Sequence, residues 1–142
     1  MMEKLKKELN WICLLIGLFL LLSCSESEGQ IPREELTIES KIEVLEEGEW
    51  LLKGFEDSVM YTFKNGKRYT HYGENGQFEE PIPTINNYFP SNSKLSIDFN
   101  SGTIKEFEIA LSCNNNIVEL SENNNLKTTL YKHGTGYMGC LE

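Results

Sequence analysis

Tyr61-Thr62-Phe63-Lys64-Asn65-Gly66-Lys67-Arg68-Tyr69-Thr70 is the stretch that decides the fold. Two runs of β-forming residues flank an Asn-Gly pair. A two-residue hairpin turn needs positive φ at both central positions, and this dipeptide tolerates it better than almost any other. An antiparallel hairpin is therefore predicted here. Its register sets which side chains share a face: a two-residue loop puts Phe63 opposite Arg68, whereas a three-residue loop would put Phe63 opposite Tyr69. Which aromatics point inward stays open at this point.

The same grammar continues on both sides. Short runs rich in aromatic and branched residues alternate with turn clusters at Ser91-Asn92-Ser93, Asn100-Ser101-Gly102, Asn114-Asn115-Asn116 and Asn123-Asn124-Asn125, which is the pattern of neighbouring antiparallel strands. About eight strands are expected, near 49–55, 58–64, 67–73, 86–89, 94–99, 103–112, 116–121 and 126–133. Only residues 74–85, carrying Pro81-Ile82-Pro83, make a long connection. Proline there removes backbone donors and opposes a central strand, so a covering loop or a lid is expected. A serial set of strands with tight links can close on itself, and closure removes unprotected edges. The fold class is thus all-β, an antiparallel up-and-down barrel of about eight strands, with a β-sandwich as the alternative. Before the first strand, Thr37 can cap a short helix that places Ile38, Ile42 and Leu45 on one side, with Gly48 after its last turn. Ile42 and Val44 also alternate, which leaves a strand open at that point.

Gly48-Glu49-Trp50, at the start of the first strand and after this helical turn, resembles the Gly-x-Trp feature of lipocalin-like or calycin-like barrels. Asn92-Ser93-Lys94-Leu95-Ser96-Ile97 is similar to a turn-then-strand phrase of small bacterial members. The resemblance spans roughly residues 48–133 and implies a ligand-holding barrel. It also implies a cation from the last strand across the Trp face. Lys132 stands there in place of the Arg usual in such barrels, and it lacks the planar fork. The chain is shorter than a full lipocalin, so any cavity should be small.

The amino end speaks of location. Lys4, Lys6 and Lys7 precede an uncharged run from Trp11 to Leu22, the order of a secretory signal. As a helix the run would reach roughly 18 Å, short of the ~30 Å hydrocarbon core. Leu21-Leu22-Ser23-Cys24 resembles the bacterial lipobox, which implies cleavage before Cys24 and acylation of that residue, palmitate among the chains it could carry. Two or three acyl chains hold a protein on a membrane durably, where one does not. The expected organisation is a signal peptide at 1–23, an acidic tether at 24–36 and a β domain at 37–142. Ser25 in place of an Asp leans towards the outer membrane, and Ser25-Glu26-Ser27-Glu28 resembles tracts that send some bacterial lipoproteins to the cell surface. A cell-envelope location on the outer membrane, with surface exposure as one arrangement, follows from the resemblance.

Removal of residues 1–23 takes away three Lys and two Glu, moving the formal charge from −9 to −10. That balance excludes a nucleic-acid partner, which would demand clustered Lys and Arg, and it suits a basic protein. With Cys13 in the signal segment and Cys24 lipidated, Cys113 and Cys140 remain, an even pair in an oxidising compartment and so a candidate disulfide. His71 and His133 are isolated in the sequence, and neither a metal site nor a cofactor is expected.

No nucleophile elbow, zinc-protease helix, phosphate loop or Cys-x-x-Cys occurs, and no catalytic residue is assigned, so the chain is read as non-enzymatic. Glu106 and Glu108 alternate with Phe107 and Ile109 and belong to a solvated face. The aromatics Tyr61, Phe63, Tyr69, Tyr72, Tyr88 and Phe89 cluster around the hairpin and the end of the Pro-containing connection. They line an apolar pocket in one reading and build the core in the other. The leading expectation is a lipid-anchored module that binds a small apolar ligand or a partner. A protein-directed inhibitor of the lysozyme-inhibitor type, with Ser101-Gly102 as a short echo of its inhibitory loop, and a purely structural envelope lipoprotein are the alternatives. An enclosed space of about 300 Å³ or more lined by Tyr61, Tyr69 or Tyr88 would favour the ligand, whereas a packed interior would shift weight to the partner or structural readings.

Overall fold

The computed structural model describes residues 35–141; the predicted signal peptide, Cys24 and most of the predicted tether lie outside the described residues. Helix α1 (Ile38–Glu46) begins where Thr37 accepts a hydrogen bond from the Ser40 backbone amide. It buries Ile38 and Leu45, so the helical reading holds and the strand alternative does not. Glu47 forms the C-cap, and Gly48 does not take the left-handed backbone expected of a glycine that ends a helix. Its reason is space: a Cβ on Gly48 would come within 2.8 Å of the Trp50 indole.

The strands follow as β1 (Glu49–Leu52), β2 (Val59–Lys64), β3 (Lys67–Glu74), β4 (Gln77–Phe78), β5 (Asn86–Ser91), β6 (Lys94–Asp98), β7 (Ile104–Ser112), β8 (Ile117–Glu122) and β9 (Asn125–Lys132). All pairs are antiparallel, and β9 returns to β1, so eight of the strands close an up-and-down barrel while β4 is a short flap on the end of β3. The β-sandwich is not formed.

Four of the links are two-residue turns with positive φ at both positions: Asn65-Gly66, Asn75-Gly76, Asn92-Ser93 and Asn123-Asn124. Positive φ at both central positions matches the right-handed twist of the flanking strands, which explains why asparagine is so frequent in this chain. The turn at Asn75-Gly76 corrects the expectation of one long connection over 74–85. Its return strand is only two residues long, too short to show as an alternating run. Past β4 the chain runs along β3, with Glu79 N–H donating to Tyr72 O and Ile82 N–H to Thr70 O. The donor that matters belongs to Ile82, between Pro81 and Pro83, so neither proline sits where a wall hydrogen bond is needed.

Alternation along each strand sorts the side chains into two cores. Inside lie Trp50, Phe63, Tyr88, Leu95, Ile97, Phe107, Ile109, Val118, Leu120 and Leu130, closed at one end by Ile38 and Leu45 of α1. Outside, the register lines up Met60, Leu51, Tyr131 and Ile117 across β2, β1, β9 and β8. This outer row is covered by the 3-10 turn Tyr137–Cys140, whose Tyr137 ring stacks on Tyr131 at 4.5 Å, and by Phe78 of the flap. The Cys113–Cys140 disulfide, with Cα atoms 5.9 Å apart, ties that turn to the β7–β8 loop.

Tyr88, 4% exposed, joins the helix to the wall: its hydroxyl donates to Glu46, and its ring meets Phe63 edge-on at 5.4 Å. Burial, then the hydrogen bond to Glu46 and its negative charge, push the phenol well above its ordinary value. An unfolded chain ionises this tyrosine near pH ~10, whereas the folded chain resists. The resulting stabilisation is fully present below about pH 10 and is lost as the pH climbs through the raised folded value. Urea midpoints measured between about pH 8 and 11 should therefore fall above about pH 10, and less steeply in Tyr88→Phe than in the native chain; equal slopes would remove Tyr88 as the cause.

Candidate ligand cavity in the barrel interior

The two-residue turn at Asn65-Gly66 gives the register Phe63↔Arg68, with Tyr61↔Thr70 further along. Phe63 points inward, so its partner Arg68 does too, and Tyr69, opposite Thr62, goes to the outer face. A one-residue slip would have reversed this and placed Tyr69 inside.

Arg68 is held by its surroundings. Its guanidinium carbon lies 4.8 Å from the centre of the Tyr61 ring and 5.2 Å from that of Phe99. Nη2 donates to Asn86 Oδ1 at 2.6 Å, and Asn86, itself 7% exposed, donates onward to the Asp98 carbonyl at 3.1 Å. The Nε hydrogen is buried with no acceptor. Among the described residues no carboxylate pairs with this guanidinium. Burial lowers the guanidinium pKa from its ordinary value, and Tyr61 opposes part of that shift. Desolvation by burial in turn raises the Tyr61 phenol.

Arg68, Tyr61 and Phe99 line a cavity of about 210 Å³ together with Phe63, Ile97, Phe107, Leu120, Lys127 and Leu130. Its walls are mostly apolar. It lies towards the end of the barrel away from α1, near the β6–β7 and β8–β9 turns, since Phe99, Lys127 and Thr128 border it. In an up-and-down barrel the β1–β2 link, the end of β3 and the starts of β7 and β9 share that end. Phe55, Tyr72, Ile104 and Leu126 stand there as exposed large apolar side chains. Lys127 already has a partner in Glu122 at 3.7 Å.

Of the residues predicted to form a pocket, Tyr61 and Phe63 line this cavity. Tyr88 is core at the helix end, Tyr69 faces outward, and Tyr72 is 53% exposed. The volume lies below the 300 Å³ set above as favouring a ligand, in keeping with the small cavity expected of a short chain. Arg68 was not singled out as a site residue, although Phe63 inward with a two-residue turn was enough to place it.

Trp50 and Lys132 come together at the helix end of the barrel. Trp50, fully buried, donates from its indole nitrogen to the Leu45 carbonyl at 2.8 Å, and Lys132 Nζ stands 5.9 Å from the ring centre. The two histidines lie apart: His71 bridges the Thr62 hydroxyl at 3.1 Å and the Glu79 carbonyl at 3.0 Å, while His133 meets Glu49 at 3.1 Å. Glu108 is paired with Lys94 at 3.1 Å on the outer surface. Among the described residues no three His, Cys, Asp or Glu side chains gather in a metal-binding group. No protein-family model, curated protein or solved structure matches the chain.

Proposed function

We propose that the protein is a non-enzymatic binding module, tethered to an envelope membrane through lipid on Cys24, that holds a small organic molecule inside its barrel. The observation that carries this reading is the cavity of about 210 Å³ at one end of the barrel, walled mostly by apolar side chains and bordered by the Arg68 guanidinium, which has no acidic partner among the described residues. A domain of this size needs nearly all its large apolar side chains for its own stability. Space left inside it, beside a cation whose desolvation is only partly offset, is costly unless something occupies it. The volume suits a short or compact molecule and not a long acyl chain. The tether reading rests on the lipobox resemblance, and the acidic surface is compatible with a location facing basic partners.

Mass spectrometry of molecules released on denaturing the purified full chain is the direct test. One small molecule recovered in near-stoichiometric amount, and absent from an unrelated lipoprotein prepared alongside, is the expected result. An extract empty of such a molecule, from protein that inhibits a lysozyme, would transfer the assignment to the inhibitor class.

A further inference from the structure

We propose that the molecule taken into the barrel carries a single carboxylate and that Arg68 is the residue that receives it; the inference rests on the ligand-binding reading above. A guanidinium offers five N–H donors in a flat fork. Arg68 uses one donor on Asn86 and keeps a buried Nε hydrogen with no acceptor. Like several lysines of this chain Arg68 has no ion-pair partner among the described residues, but unlike them it borders the interior cavity. The Nε hydrogen is shielded, so an incoming anion would be met by the terminal nitrogens of the fork.

The geometry favours a planar anion over a bulkier one. Tyr61 and Phe99 each contact the guanidinium, and the Asn86 bond, itself anchored on the Asp98 carbonyl, holds its Nη2 in place. A fork held in this way is pre-oriented for a carboxylate, which matches guanidinium through parallel hydrogen bonds. A phosphate would bring more charge into walls built of Phe63, Ile97, Phe107, Leu120 and Leu130, where little compensates it. Lys127 also borders the cavity, but its side chain is exposed and lies 3.7 Å from Glu122, a carboxylate it shares with Lys105, so Arg68 is the more buried of the two cations there. The remaining lining selects an apolar body for the ligand. The cavity is about 210 Å³, which limits that body to a short chain or a single ring.

Hexanoate and 1-hexanol share a tail and differ in the charged group, so titrating the full chain with each is the test. Binding is followed through the amide NMR signals of Phe63, Phe99 and Thr128. Hexanoate should bind at least tenfold more tightly than hexanol, and the preference should vanish in Arg68→Gln while hexanol binding persists. Equal affinities in the native chain would overturn the carboxylate assignment and leave the ligand-binding reading standing. Hexanoate preference undiminished in Arg68→Gln would overturn the role of Arg68. Failure of both probes to shift these signals would remove the binding reading together with the inference. Should Arg68→Gln not fold, the comparison of the two probes on the native chain still decides whether the site selects an anion.

Discussion

Trp50→Ala should lower the unfolding free energy by about 3–5 kcal/mol, read as a drop in the urea midpoint with an unchanged slope. The indole, carried by the first strand, is fully buried in the interior cluster that the helix residues Ile38 and Leu45 also join. Its removal leaves a cavity that the barrel cannot collapse to fill, since β1 is paired on both sides, to β2 and to β9. It also leaves the Leu45 carbonyl without the indole donor at 2.8 Å and takes away the ring face beneath Lys132. For a domain whose total stability is about 5–15 kcal/mol, such a loss is a large share. Trp50→Phe separates the contributions: it retains most of the apolar volume and forfeits the hydrogen bond, so a cost of about 1–2 kcal/mol is expected. A midpoint unchanged in Trp50→Ala would mean that the helix end of the barrel is not where its stability resides.

Breaking the disulfide should be nearly as damaging. Cys113 and Cys140 are 27 residues apart in sequence, and on the chain-entropy account a loop of that length stabilises by roughly 3.5 kcal/mol. The effect should exceed pure loop entropy in one observable. The bridge pins the segment that covers Leu51, Met60, Ile117 and Tyr131, so the double variant Cys113→Ser/Cys140→Ser should expose that row to an apolar dye before the barrel itself unfolds. A single transition with no dye-binding phase would show that Tyr137 stacking alone keeps the cover in place.

These two sites differ in how visible they were from sequence. Trp50 announced itself through Gly48-Glu49-Trp50 next to a capped helical turn, and the helix, the barrel and the disulfide all appear where the residues point. Gly48 was read for the wrong reason: it is small because an indole lies against it, a tertiary demand that no helix-end rule contains. The eight wall strands could be read because their turns need asparagine or glycine at positive φ, a local demand. The outer row was not legible as a second core. Met60, Leu51, Tyr131 and Ile117 come together only through register, and the segment over them, residues 134–141, has no periodicity to betray it.

The cavity was half legible. Tyr61 and Phe63 were among the candidates because aromatics are conspicuous, but the polar group that gives the cavity its chemistry is an arginine in a lysine-rich turn, where charge suggests solvent. Its inward direction depends on a single residue of register. Tyr69 and Tyr72 drew attention by type alone, and the fold gives them to the surface.

The wall of the cylinder is not equally sewn all the way round. β8 and β9 share six pairs, whereas β3 and β5 share two, Lys67↔Asn87 and Arg68↔Asn86. Protein segments with few mutual bonds separate at the lowest free energy, so thermal breathing of this barrel begins along that line. The Arg68–Asn86 contact is a clasp across the same gap. An anion received there, as proposed, would thus also act on the fastening of the vessel that contains it.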